Sequence, residues 1–548
     1  MAIAVAEAPA RHADRGNPLT GTGTLLRFNL RRDRWRIPAW LAGILLMQVG
    51  GAAAYPDIYP TEADRLQQAV IVGDNPAMKA MTGPGYGIDN YTYGAMMSNE
   101  YLGFMVIFVA LMSVLMVVRH TRTEEETGRA ELVRAAVVGR HAQLTAALLT
   151  AVVANLLLGV LLAAGMASLG IETVDTEGSI VFAAAYVAVG LVFAAIAALT
   201  AQISEYGRAA AGMAGALIGV AYLLRAIGDV ADNGLSWLSP IGWVQASAPY
   251  VENTWWPLLL ALAVAGALAV VAFVLGGRRD VGAGLRQPGA GRATGSRLLG
   301  TPEGFAWRLQ RSGVIWWALA MFLFGMSYGS AVNVIESYAD NEVVAQMIES
   351  IGGATLVESW LSMIISLLAV VCTIFAIIAA LRPRREETSG RAEPVLATAL
   401  SRTRWMATHV GIALLGGTAL LAVTGAGLGV GAAASSGDAG YLWPVLSAAL
   451  AYAPALWVTT GMAVAGFGLL PRATALAWAL VVYAILITYL GGLLDLPGWA
   501  LNLSPYTHVP RMPADEFTAT PLLILTGVAA VLVALGLAGF RRRDLEAT

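Results

Sequence analysis

Lysine, the residue that P-loop ATPases use to hold nucleotide phosphates, occurs once in this sequence of 548 residues. That lysine, Lys79, is followed by Ala80. A Walker A loop needs a lysine followed by serine or threonine beside a glycine-rich turn. The chain therefore cannot serve as its own ATPase by this route, and any ATP-driven work would need a partner subunit.

The other residues that could do chemistry are few and scattered. One cysteine, Cys372, falls within an apolar segment, so neither a disulfide nor a thiolate metal cluster can form within one chain. No paired carboxylates share an apolar segment. We therefore expect no catalytic residues, no metal site and no cofactor in this chain. The five histidines are His12, His120, His141, His409 and His508.

A charged segment occurs twice. Residues 122–140, RTEEETGRAELVRAAVVGR, recur 262 residues later as RREETSGRAEPVLATALSR at residues 384–402. Ten of the nineteen aligned positions are identical, where chance would give roughly one or two. The chain therefore consists of two copies of one unit. The copies are not equal, because Pro394 replaces Leu132.

Each copy of this segment lies between two apolar segments, as a short loop between membrane spans would. Gly128 and Gly390 can adopt the turn that ends the preceding helix. Glu131 and Glu393 then start a helix, where the helix dipole favours negative charge. Two copies in register favour contact with a partner over a solvated charge run. The residues assigned to this contact are Glu124, Glu125, Gly128, Arg129, Glu131, Val133, Arg134, Arg140, Glu386, Glu387, Gly390, Arg391, Glu393, Val395 and Arg402.

The composition indicates an all-α polytopic membrane protein. Hydrophobic residues make up 57% of the chain and charged residues 13%, which is too little charge for the surface of a soluble protein. Twelve apolar segments are each long enough to cross about 30 Å of hydrocarbon at roughly 1.5 Å per residue. They lie at 38–55, 100–118, 142–169, 178–202, 209–228, 255–276, 314–333, 359–381, 405–433, 442–469, 473–494 and 520–540.

Basic residues set the predicted orientation. With a cytoplasmic N-terminus, thirty basic residues lie on the inner side and four on the outer side. This distribution follows the positive-inside rule. We predict a multi-pass protein of the plasma (inner) membrane with both termini in the cytoplasm.

The predicted halves are parallel repeats, because each has six spans and the same inner face. Amphipathic segments at 25–38 and 305–311 predict an entry helix in the inner interface of each half, and each half ends with Arg-Arg-Asp. The predicted parts are a disordered cytoplasmic tail at 1–24, the first transmembrane half at 25–280, a flexible linker at 281–304 and the second transmembrane half at 305–548.

Few polar residues lie within the predicted spans. They could line a substrate pathway, or they could join helices by hydrogen bonds, the commoner role in membranes. Glycine pairs four residues apart, Gly215 with Gly219 and Gly427 with Gly431, predict close helix packing. The pathway candidates are Asn155, Tyr222, Arg225, Tyr483 and Tyr489.

These features together resemble type-2 ABC exporter permeases. The Glu-Glu-x-x-Gly-Arg-x-Glu loop is similar to that of the actinobacterial branch of polyketide-antibiotic or tetronasin-type multidrug exporters, which contribute to antibiotic resistance. The resemblance covers residues 25–545 and includes a long broken segment between the fifth and sixth spans of each half.

The resemblance implies that the two loops are coupling helices. They would dock on two separate ABC ATP-binding subunits, taken as a homodimer, which bind ATP and magnesium. The chain would then be a transport subunit that moves hydrophobic or amphiphilic drugs out of the cell. Its other partners would be membrane lipids, with no nucleic acid.

Two other functions remain open. A proton-driven secondary multidrug transporter also has twelve helices in parallel halves, but its usual Gly-x-x-x-Asp-Arg/Lys-x-Gly-Arg loop differs from the acid-rich loop before Gly128. An ABC-coupled device that does mechanical work on lipids or envelope proteins would carry a large outer domain, which this sequence lacks.

Overall fold

A computed structural model describes residues 17–74, 76–280, 282–285, 294–339, 355–470, 474–490 and 497–544. Every regular element within these ranges is helical. The chain divides into two compact units, Met1–Gly291 and Arg292–Thr548, here called unit 1 and unit 2. The boundary falls inside the predicted linker at 281–304.

In unit 1, six long helices are joined by shorter ones. The long helix Thr176–Ile203 is the most deeply buried in the described part of unit 1. It packs on the helices Leu102–His120, Ala142–Ala167 and Trp256–Arg278. Its N-terminus is capped by Asp175, whose side chain accepts a hydrogen bond from the backbone N–H of Gly178. The helices are α1 Thr22–Arg32, α2 Arg36–Ile58, α3 Glu62–Asp74, α4 Pro76–Thr82, α5 Tyr93–Glu100, α6 Leu102–His120, α7 Arg122–Glu126, α8 Arg129–Arg134, α9 Ala142–Ala167, α10 Thr176–Ile203, α11 Gly207–Val230, α12 Pro240–Gln245 and α13 Trp256–Arg278.

Unit 2 has a similar order of helices. Its core lies around the helix Leu356–Ala380 and the pair of helices Leu442–Ala451 and Ala453–Leu469, which are separated by a break at Tyr452. The helices described are α14 Pro302–Gly329, α15 Val332–Ala339, α16 Leu356–Ala380, α17 Arg382–Thr388, α18 Ala392–Leu396, α19 Arg402–Ser436, α20 Leu442–Ala451, α21 Ala453–Leu469, α22 Ala475–Leu490, α23 Gly498–Leu501 and α24 Ala519–Arg542.

The prediction of an all-α membrane protein is confirmed. Within the described ranges, 11 helical segments are long and apolar enough to cross a membrane. The predicted span at 473–494 corresponds to α22, of which 16 residues are described, while residues 471–473 and 491–496 lie outside the description. Twelve spans in two repeats stay a prediction.

A separate entry helix is present in unit 1 but not in unit 2. In unit 1, α1 is a separate helix that ends at Asp33. In unit 2, the prediction of a separate entry helix at 305–311 is wrong, because these residues form the first part of α14. The buried carboxylate of Asp33 ends α1 by binding a histidine and an arginine of α6. The sequence of unit 2 has no acid between Glu303 and Glu336 that could end a helix in this way.

The predicted boundaries of the tail and the linker also differ from the helix ends. Helix α1 begins at Thr22, inside the predicted tail at 1–24, after Gly21 with φ 84°. Helix α14 begins at Pro302, inside the predicted linker, and Thr301 caps it through the N–H of Gly304. Thr301 and Pro302 are helix-initiating residues at the start of α14, which composition alone does not reveal, whereas α1 starts without a side-chain cap.

One of the two predicted glycine contacts is present. A Cβ atom on Gly427 or Gly431 of α19 would lie 2.3 or 2.1 Å from a backbone carbonyl oxygen of α14. The absence of side chains therefore lets the two backbones approach. A Cβ on Gly215 or Gly219 would meet no atom of the described residues within 4 Å, so the prediction of close helix packing is wrong for that pair within the described part of unit 1.

We expect Gly427→Ala to destabilise the protein, because the added methyl group must push α14 and α19 apart. Overpacking of this kind typically costs about 1–3 kcal/mol. The matched control is Gly411→Ala in the same helix, where a Cβ would meet nothing within 4 Å. Thermal unfolding of the purified variants should show a lower Tm only for Gly427→Ala, and equal Tm values would contradict the packing argument.

Candidate functional site

The repeated loop folds in each unit as two short helices joined by a glycine turn. In unit 1, Gly128 has φ 73° and separates α7 from α8. In unit 2, Gly390 has φ 68° and separates α17 from α18. Both glycines take the left-handed conformation that other residues rarely adopt.

A carboxylate in each loop binds an arginine at the end of the same unit. In unit 1, Arg279 donates two hydrogen bonds to the Oε2 and Oε1 atoms of Glu125, at 2.8 and 2.7 Å. In unit 2, Arg543 donates two to Glu387, at 2.9 and 2.6 Å. The four side chains are only 5% to 14% exposed. We call each pair a latch, because its two parallel bonds fix the loop to the residue that follows the last long helix.

A second bond joins the same two regions. Arg140 donates to the carbonyl oxygen of Gly277, near the end of α13, at 3.0 Å. Arg402 donates to the carbonyl oxygen of Arg543, just beyond α24, at 2.8 Å. A positive charge is favourable at a helix C-terminus, where carbonyl groups lack partners. Arg140 and Arg402 thus contact the C-terminal end of the last long helix of their own unit or the residue that follows it.

The latches have different surroundings. In unit 1, the Nε atom of Arg279 donates to Oε1 of Gln202 at 2.7 Å. In unit 2, the guanidinium of Arg543 lies 4.8 Å from the ring centroid of Phe467 and 5.1 Å from that of Phe540. The latch of unit 1 therefore has an additional hydrogen bond, and that of unit 2 has cation–π contacts.

The acids that precede the latch carboxylates bind arginines of the loop and its neighbours. Glu124 lies 3.9 Å from Arg129, and Glu386 lies 3.5 Å from Arg391. Arg32 of α1 binds Glu124 at 2.5 Å, whereas Glu386 is bound by an arginine of its own helix at 2.8 Å. The side chains of Arg129 and Arg391 remain 60% and 70% exposed, so both can also reach a partner.

The next acids along the loop are open to solvent. Glu131 and Glu393 are exposed, and within the described part of the chain their carboxylates have neither an ion pair nor a hydrogen bond. The following residues, Leu132 and Pro394, are exposed as well, Leu132 to 77%. Each loop therefore presents an acid and an apolar residue side by side.

The other predicted contact residues do not all face outward. Val395 is half-buried against the core of unit 2. The side chains of Val133 and Arg134 lie outside the described part of the structure. Ala130 and Ala392, each directly before an exposed acid, are 2% and 1% exposed. These alanines anchor the short helices and leave the acids at the surface.

Sequence analysis missed the partners of the buried loop acids. Arg279 and Arg543 belong to the Arg-Arg-Asp sequence that closes each half, a recurrence that is visible in the sequence. Because a buried carboxylate needs a compensating charge, two acids and two arginines that recur with nearly the same spacing indicate a pairing. Sequence analysis also missed Asp33, whose Oδ2 atom lies 2.5 Å from Nε2 of His120.

Comparisons with known proteins place this arrangement in a family. The model of the family described as "Multidrug efflux system permease Rv1217c, C-terminal domain" matches the chain twice, over residues 23–275 and 299–541. The chain is also 40% identical over 549 residues to the multidrug efflux system permease protein Rv1217c of Mycobacterium tuberculosis (strain ATCC 25618 / H37Rv), and 98% of each chain is covered. The chain belongs to this family of multidrug efflux permeases. One family match falls in each unit of the permease.

The predicted pathway residues of the permease make contacts within their own unit. Asn155 is buried on α9 and donates to a serine hydroxyl of α6 at 2.9 Å. Arg225 and Tyr222 of α11 donate to backbone carbonyl oxygens of α4, at 2.8 and 3.3 Å. Tyr483 donates to a carbonyl oxygen of α23 at 2.5 Å, and the side chain of Tyr489 lies outside the description. These bonds favour the helix-joining role over the pathway role for the four residues described.

We expect Arg279→Gln to lower the Tm of the permease. The substitution removes both latch bonds of unit 1, although Arg122 remains 2.5 Å from Glu125. We therefore expect a loss of about 1–2 kcal/mol, less than for a buried carboxylate left fully unpaired. The matched control is Arg278→Gln, which removes the same charge from an exposed neighbour. A control variant as unstable as Arg279→Gln would show that the latch has no special role.

Proposed function

We propose that this permease is the transmembrane subunit of an ATP-driven type-2 ABC exporter. It would move hydrophobic or amphiphilic, antibiotic-like compounds out of the cell across the plasma membrane, with its termini and both loops in the cytoplasm. Two separate ATP-binding subunits would dock on the loops and supply the energy from ATP and magnesium. The similarity to the multidrug efflux permease of M. tuberculosis supports the drug-export part of the proposal. Because this sequence has no Walker A lysine, the ATP-binding sites would lie on the separate subunits.

The main observation in support of docking is the exposed acid that each unit presents on the second short helix of its loop. Glu131 and Glu393 occupy equivalent positions, start a helix and have no partner in the described part of the chain. Their carboxylates suit a basic residue of a docked subunit. Exposed arginines and apolar residues lie beside them. The proposed docking residues are Arg129, Glu131 and Leu132 in unit 1 and Arg391, Glu393 and Pro394 in unit 2.

The proposed docking surface contains fewer residues than the sequence predicts for the contact. The latch acids Glu125 and Glu387 and the arginines Arg140 and Arg402 bind within their own unit. We assign these residues to the transmission of force. A displacement of α8 acts on α6 and α9 through the chain and on α13 through the latch. In unit 2, a displacement of α18 acts on α16 and α19 through the chain and on α24 through the latch.

The two docking surfaces are unequal. Leu132 offers a flexible apolar side chain that is 77% exposed, whereas Pro394 offers a rigid ring and no backbone N–H. We propose that two copies of one ATP-binding subunit bind the two loops with different strengths. Glu131 and Arg129 have the same residue types as their counterparts Glu393 and Arg391, but Arg134 of the first loop is replaced by Leu396 in the second, so the apolar contact and the charge both differ.

The combined variant Glu131→Ala and Glu393→Ala tests the docking surface. Removing one partner of a charge pair that is buried in an interface costs about 2 kcal/mol or more, so we expect drug-stimulated ATP turnover to fall roughly tenfold or more. The measurement uses proteoliposomes that contain the permease and its ATP-binding subunits. The matched control is Asp280→Ala with Asp544→Ala, which removes two exposed acids from equivalent positions outside the loops.

Normal turnover in the double glutamate variant, or an equal loss in the aspartate control, would count against the proposed contact. Liposomes that contain the permease alone provide a second test. We expect no drug transport under a proton gradient in the absence of ATP-binding subunits. Gradient-driven transport by the isolated permease would instead establish a secondary transporter.

A further inference from the structure

A polar cavity of about 320 Å³ lies at the predicted outer end of unit 1. Its walls are the turn after α4, the last turn of α11, the segment between α11 and α12, and α12 itself. The cavity is separate from the cytoplasmic loops and contains none of the predicted pathway residues. Its main polar and aromatic lining residues are Tyr86, Asp229, Asp232, Asn233, Trp237 and Gln245.

Close backbone packing holds the wall of this cavity in place. A Cβ on Gly228 would lie 2.2 Å from the backbone nitrogen of Ser236, and a Cβ on Gly242 would lie 2.1 Å from its carbonyl oxygen. Glycine therefore permits both approaches. The indole of Trp237 stacks on that of Trp256, with ring centroids 5.1 Å apart. The cavity is thus a preformed feature of unit 1, and a ligand would not have to order it.

The charges around the cavity favour a cation. Arg225 lies beside it, but this guanidinium binds carbonyl oxygens of α4 and meets Asp229 at 3.5 Å. Asp232 is exposed and adds a second carboxylate to the lining. Burial and the charges of Asp229 and Glu252 raise the pKa of Tyr86 to about 12. With Arg225 balancing Asp229, the carboxylate of Asp232 leaves a negative charge in the lining of the cavity.

A buried acceptor in the cavity wall also lacks a donor. The Nε2 atom of Gln245 donates to the carbonyl oxygen of Thr82 at 2.7 Å. Its Oε1 atom is buried and has no hydrogen-bond partner within the described ranges. A buried amide oxygen without a donor is unfavourable. The N–H group of a bound ammonium would satisfy it.

We propose that this cavity binds the protonated amine of an amphiphilic organic cation. The ammonium group lies between the carboxylate of Asp232 and Gln245, and the apolar body of the cation lies along Trp237, where an aromatic face also attracts positive charge. The assignment of the cavity to the outward route of a drug rests on the proposed export function. The binding itself does not depend on ATP.

Binding of 2-phenylethylammonium tests the proposal. The full-length permease in nanodiscs, without ATP-binding subunits, is titrated with this amine, with the neutral 2-phenylethanol of the same shape, and with phenylacetate. Ligand-observed nuclear magnetic resonance measures each affinity, and empty nanodiscs correct for partition into lipid. We expect the amine to bind, and the alcohol and the anion to bind at least about threefold more weakly.

The variant Asp232→Asn should weaken binding of the amine by about three- to tenfold and leave binding of the alcohol unchanged. Asp57→Asn, at an exposed acid near the end of α2, makes the same charge change and should affect neither ligand. Equal affinity for the amine and the alcohol, or equal effects of the two variants, would overturn the proposal. A loss of ATP coupling in the docking variants would leave this result standing, and a failure to bind amines would leave the coupling proposal standing.

Discussion

A carboxylate–guanidinium pair that is almost excluded from water fixes the charged loop of each unit to the end of its last long helix. A buried acid without such a partner would be strongly destabilising, and two parallel bonds restrict the pair to one geometry. Because Glu125 and Glu387 are held in this way, the chain beyond the glycine turn is also placed. The exposed acids at Glu131 and Glu393 owe their positions to these buried pairs.

The latch also explains why two distant sequences recur together. The loop acid lies 262 residues from its counterpart, and the arginine lies 264 residues from its counterpart. A change of the loop acid alone would leave the buried arginine without its carboxylate, whereas a change of Arg279 alone would leave Glu125 with Arg122. The surroundings of the pair are less constrained, since a glutamine supports Arg279 and two phenylalanine rings support Arg543. The shared requirement is therefore the pair itself.

The long helices could be predicted well from the sequence, because apolar length is a local property of the chain. The segment predicted at 142–169, for example, forms the helix Ala142–Ala167. The orientation of the loop acids could not be predicted in the same way. Arg279, the latch partner of Glu125, lies 154 residues further along the chain. A local sequence pattern does not reveal such a contact. The prediction of close helix packing at Gly215 and Gly219 was wrong for a similar reason, because the spacing of two glycines does not show whether another helix lies opposite them.

The first short helix links only one of the two loops to the start of the chain. Arg32 and Asp33, at the end of α1, bind Glu124 and the end of α6 in unit 1. In unit 2, Glu386 is held from within its own helix, and the entry segment runs without interruption into α14. A sideways force on α1, such as a change in lateral lipid pressure, would thus pull directly on the first loop. Within the described ranges, Glu386 has no equivalent contact with α14, so the same force would not reach the second loop through this acid.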